Sequence, residues 1–222
     1  VILSDDRSTT EDFNRAAQLA VDVINNSGHE LEPTRAVVFD ENNEKNNEIV
    51  WSVQFPEDES LAGNNGNWMH LHYISRYELG VPGIIRSLEY GRPWIVNRPT
   101  PFLLDLYDET IDSRYSAYIK NVWLANVDAP EQGISVGDTA LFFPKHPMTR
   151  EEIDSKNYKV YNPEGSEDLG EGYFRAGPSF YPANIKFVDS KRSSINSMRG
   201  SRDWVVFRLA ETYLLASEAF MK

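Results

Sequence analysis

From about Arg202 to its end, the sequence reads as one helix with apolar residues on nearly every side. They are Val205, Val206, Leu209, Ala210, Tyr213, Leu214, Leu215, Ala216, Ala219 and Phe220. A helix that is hydrophobic all round has to be covered all round. Only one other long helix is legible. It opens at a Ser8-x-x-Glu11 capping box, carries Phe13, Ala16, Ala17, Ala20 and Ile24 on one face, and stops at Ser27-Gly28. Its stripe is mostly alanine, which permits close approach of a second helix. Two such helices are too little cover for each other, so their partners are expected to be distant in sequence or outside this piece. The sequence opens at Val1 without Met and stops at Lys222 inside the helical run, with no Gly, Asn or Pro to end it. It is therefore read as part of a longer protein.

Between the helices the pattern is irregular. Ala36–Phe39 predicts a short strand, and Ile49, Trp51, Val53 and Phe55 alternate with more polar neighbours as a second strand. Asp40–Asn47 and Pro56–Asn67 are polar loops, the latter carrying Asn64-Asn65-Gly66-Asn67. Trp68–Trp94 is rich in aromatics and glycine without a sustained period, which predicts short helical turns at most. Pro99-Thr100-Pro101 opens a helix through Phe102, Leu103, Leu106 and Tyr107. A strand over Thr139–Phe143, a short helix over Thr149–Ser155 and a Gly-rich loop over Lys159–Ser179 complete the pattern.

Charge and composition exclude several functions. With 22 Lys+Arg against 34 Asp+Glu, the chain carries a formal −12, which argues against nucleic acid or an anionic membrane as partner. No apolar run reaches the ~18 residues of a membrane-spanning helix. With no cysteine there are no disulfides, thiolate nucleophiles or Cys-ligated metals. No nucleophile elbow, zinc-protease helix, P-loop or dinucleotide fingerprint occurs. His70 and His72, two apart, would share one face of a strand, and His146 could join them, yet no patterned carboxylate accompanies them. No metal or other cofactor is expected. The 34 acids guarantee some carboxylate pair in space, so their number says nothing for a glycosidase.

The positive signal is aromatic rings set among Asn, His and Arg in loops: Trp68, Tyr73, Tyr77, Tyr90, Trp94 and Trp123. A sugar offers an apolar C–H face to a flat ring and a hydroxyl rim to amides, carboxylates and guanidinium forks. Packing the fold is the commoner role of any one such ring. On local chemistry the candidate glycan site has Trp68, Tyr73 and Tyr77 as platforms. Asn65, Asn67, His70 and Arg76 are its candidate hydroxyl partners.

Several segments together resemble the SusD/RagB family of glycan-binding lipoproteins of Bacteroidetes. They are the Ala-rich first helix, Asn47–Phe55, Arg98–Tyr107 with Asp112-Ser113-Arg114-Tyr115, Gly137–Ala140, Lys186-Phe187 and Asp203–Ala219. Their order matches the family's, and essentially the whole chain (1–222) is covered as one incomplete SusD/RagB-like domain. The resemblance implies a mainly α fold, a tetratricopeptide-like α-α superhelix with long irregular loops and a few short strands. It also implies absent N-terminal helices, an absent lipid-anchor region and an absent extreme C-terminus. In function it implies a non-enzymatic, lipid-anchored component of the outer membrane, exposed at the cell surface. Such a component binds glycan and docks on a SusC-like TonB-dependent transporter. Rival readings are a docking module that captures peptide or another nutrient, and a glycoside hydrolase. Asp112, Arg114, Arg208 and Glu211 are expected to fix the scaffold, Arg208 pairing with Glu211 or with loop carbonyls.

Overall fold

A computed structural model describes residues 8–62, 66–165, 172–173 and 179–222. The helices in chain order are α1 (Thr10–Asn26), α2 (Arg35–Val38), α3 (Glu59–Ala62), α4 (Met69–His72), α5 (Pro101–Asp105), α6 (Arg114–Tyr118), α7 (Arg150–Asp154) and α8 (Leu209–Met221). The strands are β1 (Ile49–Val53), β2 (Ile119–Lys120), β3 (Val122–Leu124), β4 (Thr139–Phe142), β5 (Lys159–Val160), β6 (Ala183–Asn184) and β7 (Trp204–Arg208). Irregular chain outweighs both kinds of element. Among the described residues no helix is long and apolar enough to cross a membrane.

The chain divides into two compact units, residues 1–55 with 202–222 and residues 56–201. In the first, α1 packs on α8 through small buried residues, Ala17 from one helix and Ala216 and Ala219 from the other. The cap of α1 lies one residue later than the Ser8-x-x-Glu11 pattern predicts. Thr9 accepts from the Asp12 N–H while the Asp12 carboxylate takes the Thr9 N–H, a capping box in the shifted frame. The predicted stop holds, with Ser27 as C-cap and Gly28 at φ +79°, a conformation that a Cβ would strain.

Two predictions for this unit are corrected. Ala36–Phe39 is no strand: the hydroxyl of Thr34 accepts from Val37 N–H and starts the helical turn α2. The long C-terminal helix begins only at Leu209, because Trp204–Arg208 leaves it to pair antiparallel with β1. The β-branched and aromatic run Val205-Val206-Phe207 suits that strand. Register shifts on either side of Trp51 break the alternation expected of β1. Trp51 is thereby exposed and stacks on Phe207, ring centroids 6.1 Å apart.

Arg208 therefore lies outside the helix and does not form the expected pair with Glu211. It reaches across to Glu48, a carboxylate 1% exposed, at 2.7 Å, with Arg35 at 3.6 Å on the same oxygen. The other Glu48 oxygen accepts Glu32 N–H at 3.0 Å. A buried carboxylate is tolerated because cations and a backbone donor share it. Arg202 donates to the Phe39 carbonyl, and Asp203 accepts Phe55 N–H at 3.2 Å.

The second unit is built round an aromatic core that includes Ile74, Tyr77, Tyr90, Trp123, Ile134, Leu141, Phe143 and Tyr173. Beside it lie a three-stranded sheet, β3 antiparallel to β4 and β4 parallel to β5, and the antiparallel pair β2–β6. Thr100 caps α5 with Pro101 in its first turn, and Thr149 with Glu152 forms the capping box of α7. Asp112 holds Arg114 through contacts of 2.6–2.9 Å, which fixes the entry to α6 as expected.

Candidate functional site

Within the second unit, one stretch of irregular chain folds back on itself and leaves a cleft of about 540 Å³. Its lining is Arg76, Glu78, Leu79, Arg86, Arg92, Pro93, Trp94 and Ile95. That volume is within the range of small-molecule sites, roughly 300–1,000 Å³. Gly91 (φ +80°) makes the turn that carries the chain from the core to the cleft. A Cβ there would press on Ile74 at 3.3 Å. Behind the turn stands Tyr77, whose hydroxyl donates to the Gly91 carbonyl at 2.8 Å and accepts Ser87 N–H at 3.3 Å.

Charge and one indole define the cleft itself. Arg86 forks onto Glu78, with its Nη2 at 2.7 Å and Nε at 3.3 Å from the same oxygen, and also donates to Asn196 at 3.2 Å. Arg92 lies over the Trp94 ring, 5.2 Å from its centroid. Burial, and then the charge of Arg86, hold the Arg92 pKa below the ordinary arginine value. Trp94 is still 44% exposed. Next to it Ile95 has φ 52°, a left-handed backbone that a β-branched residue adopts only under strain. The Arg76 N–H is pinned to the Ser179 carbonyl at 2.8 Å, while its side chain is exposed.

Of the seven candidate site residues, Arg76 alone lines this cleft. Tyr77 is 0% exposed: Trp123 stacks on its ring at 4.3 Å and Tyr90 meets it edge-on at 5.6 Å. No ring face is left for a sugar, and Tyr77 is corrected to a core post. His70 is likewise buried, with Nε2 3.0 Å from the Met198 carbonyl. It lies with His72 on the helical turn α4, so the two rings do not share a strand face as expected. Asn67 is buried too, its side chain accepting Met69 N–H and its backbone bridging to Gly200. Neither is placed as a hydroxyl partner. Trp68 is 41% exposed but does not line the cleft, nor does the half-buried Tyr73, whose ring meets Phe187 at 5.6 Å. Asn65 lies outside the described residues.

Trp94 is one of the loop aromatics that the sequence marks but lies outside the candidate site set, and Arg92, Arg86 and Glu78 are the residues of the cleft that sequence reasoning misses. A signal was present: three arginines in seventeen positions of an acidic chain, the last next to Pro93-Trp94.

Residues 47–222 match the SusD family. A SusD-like protein from Formosa agariphila is 29% identical over 201 residues, which are 89% of this chain and 32% of that protein. A crystal structure of a SusD superfamily protein from Bacteroides fragilis aligns with 99% of this chain and 36% of its own, at 16% identity and a TM-score of 0.47. The chain thus spans about a third of the length of these relatives.

Proposed function

Because the chain belongs to the SusD family, we propose that it serves as the nutrient-binding component of a SusC/SusD-type import system. In this reading it is held at the cell surface of the outer membrane by a lipid anchor. It captures an oligo- or polysaccharide and delivers it to a TonB-dependent transporter. The scaffold proposed with it is the family's tetratricopeptide-like helical stack, of which residues 1–222 form an incomplete part.

The observation that carries the glycan reading is the exposed Trp94 ring beside guanidinium forks in one cleft. A ring for the C–H face and donors for the hydroxyl rim are the two halves of sugar recognition. The cleft's acid–base inventory favours binding over hydrolysis. A glycosidase uses two carboxylates about 5–9.5 Å apart. Among the described residues lining the cleft the only carboxylate is Glu78, and Arg86 already holds one of its oxygens.

Isothermal titration of the intact protein against plant, algal, host and microbial glycans tests this. Trp94→Ala should weaken binding by about 1–2 kcal/mol, the loss of one aromatic platform. Trp68→Ala, made in parallel, should change it little. Unchanged affinity in Trp94→Ala would remove the cleft as the site. Absence of binding to every glycan would remove the carbohydrate reading.

A further inference from the structure

We infer that the cleft between Arg76 and Ile95 selects an acidic saccharide, one whose charge is a carboxylate or a sulfate ester. This rests on the glycan reading above and narrows it.

The chain as a whole is acidic, yet three arginines and one glutamate line the cleft. Their commitments differ. Arg86 is spent on Glu78 and Asn196. Among the described residues, Arg76 and Arg92 have no ion pair, and neither guanidinium makes a hydrogen bond. Arg92 is held instead by stacking on Trp94, and its Nη1 is buried without an acceptor. Leaving a buried cationic N–H unmatched is costly. Two guanidinium groups with unspent hydrogen-bonding capacity thus line one cleft.

Hydroxyl groups accept from these donors one at a time and without charge. A guanidinium presents donors in a rigid planar fork that matches the paired oxygens of a carboxylate or sulfate. Charge-assisted hydrogen bonds of that kind are roughly twice as strong as neutral ones. Trp94 adds the apolar contact for the ring that bears the acid. The strained Ile95 backbone next to it is of the sort that accumulates where a ligand is clamped. The formal −12 of the chain does not cancel the local field, since exposed charges are screened beyond about 8–10 Å at physiological ionic strength.

The test titrates the intact protein with sugars that differ only in charge: oligogalacturonate against its methyl ester, and sulfated carrageenan oligosaccharides against the desulfated forms. Maltoheptaose and cellohexaose serve as neutral references. The acidic member of at least one pair should bind about tenfold tighter than its neutral counterpart, and which pair responds separates carboxylate from sulfate. Arg92→Gln and the exposed Arg76→Glu should each weaken that binding about tenfold. Arg92→Lys should recover part of the loss, because it restores the charge without the fork. Equal binding of acidic and neutral members, or arginine variants without effect, overturns the inference and leaves the glycan reading standing. Binding to no saccharide of either kind overturns both.

Discussion

His70 is 2% exposed, and its Nε2 faces the Met198 carbonyl at 3.0 Å. A carbonyl can only accept, so Nε2 carries the proton and Nδ1, buried without a hydrogen-bond partner among the described residues, is bare. Burial, then the charge of Arg192, pushes the imidazole pKa down from 6.5 to about 4. The Met198 carbonyl and Asp189 oppose that shift without reversing it, and Arg92 adds to it. The ring in the unfolded chain takes its proton first as pH falls. Stability is therefore full above about pH 6.5 and is lost progressively towards about pH 4, by up to about 3 kcal/mol. Urea midpoints at about pH 7 and about pH 4.5 should differ more for the native protein than for His70→Gln, which can still donate to Met198. Equal differences would mean that the native ring titrates freely. Burial is also what separates the two kinds of aromatic residue here. Tyr77 and Trp94 look alike in the sequence, each a ring among polar neighbours, yet Tyr77 lies in the core before the Gly91 turn and Trp94 lies exposed after it. The ingredients of the cleft were legible as a run of Arg, Pro and Trp, whereas the side on which each ring would lie was not.

Elements show a similar division. The capped helices α1, α5 and α7 were legible because Thr9, Thr100 and Thr149 do local chemistry on neighbouring N–H groups. Ala36–Phe39 misleads because four apolar residues fit a strand or a helical turn equally, and the arbiter is the Thr34 cap. Trp204–Arg208 misleads because four successive apolar residues before Arg208 have no period of their own, and β1, more than 140 positions earlier, claims them. What α8 kept is the face with Ala216 and Ala219 that lies against α1. Small residues at such a contact let the helices approach closely, so added bulk has nowhere to go. Ala216→Leu should destabilise by about 1–3 kcal/mol in urea unfolding, the usual cost of overpacking. Ser217→Ala, on the exposed side, should stay within about 0.5 kcal/mol. A neutral Ala216→Leu would mean that the two helices are not in close contact.

For the molecule as a whole, the unsolved quantity in the sequence was cover for the apolar C-terminal run. Pairing of β7 with β1 accounts for its first five residues and α1 for one face of the rest. Leu214, at 72% exposure, together with Phe220 and Met221, still faces outward. Large apolar side chains left exposed on one side of a helix mark a contact surface, and the SusD-like protein that this chain matches is about three times its length. In the proposed helical stack a neighbouring helix covers that face. Leu214→Asp in the intact protein should then cost about 2–4 kcal/mol, because a carboxylate would be buried against apolar side chains without a counter-ion. At a solvated position the same change costs no more than about 0.5 kcal/mol. Thermal and urea unfolding distinguish the two results. A near-neutral Leu214→Asp would leave α8 as a surface helix and remove the stack's claim on it.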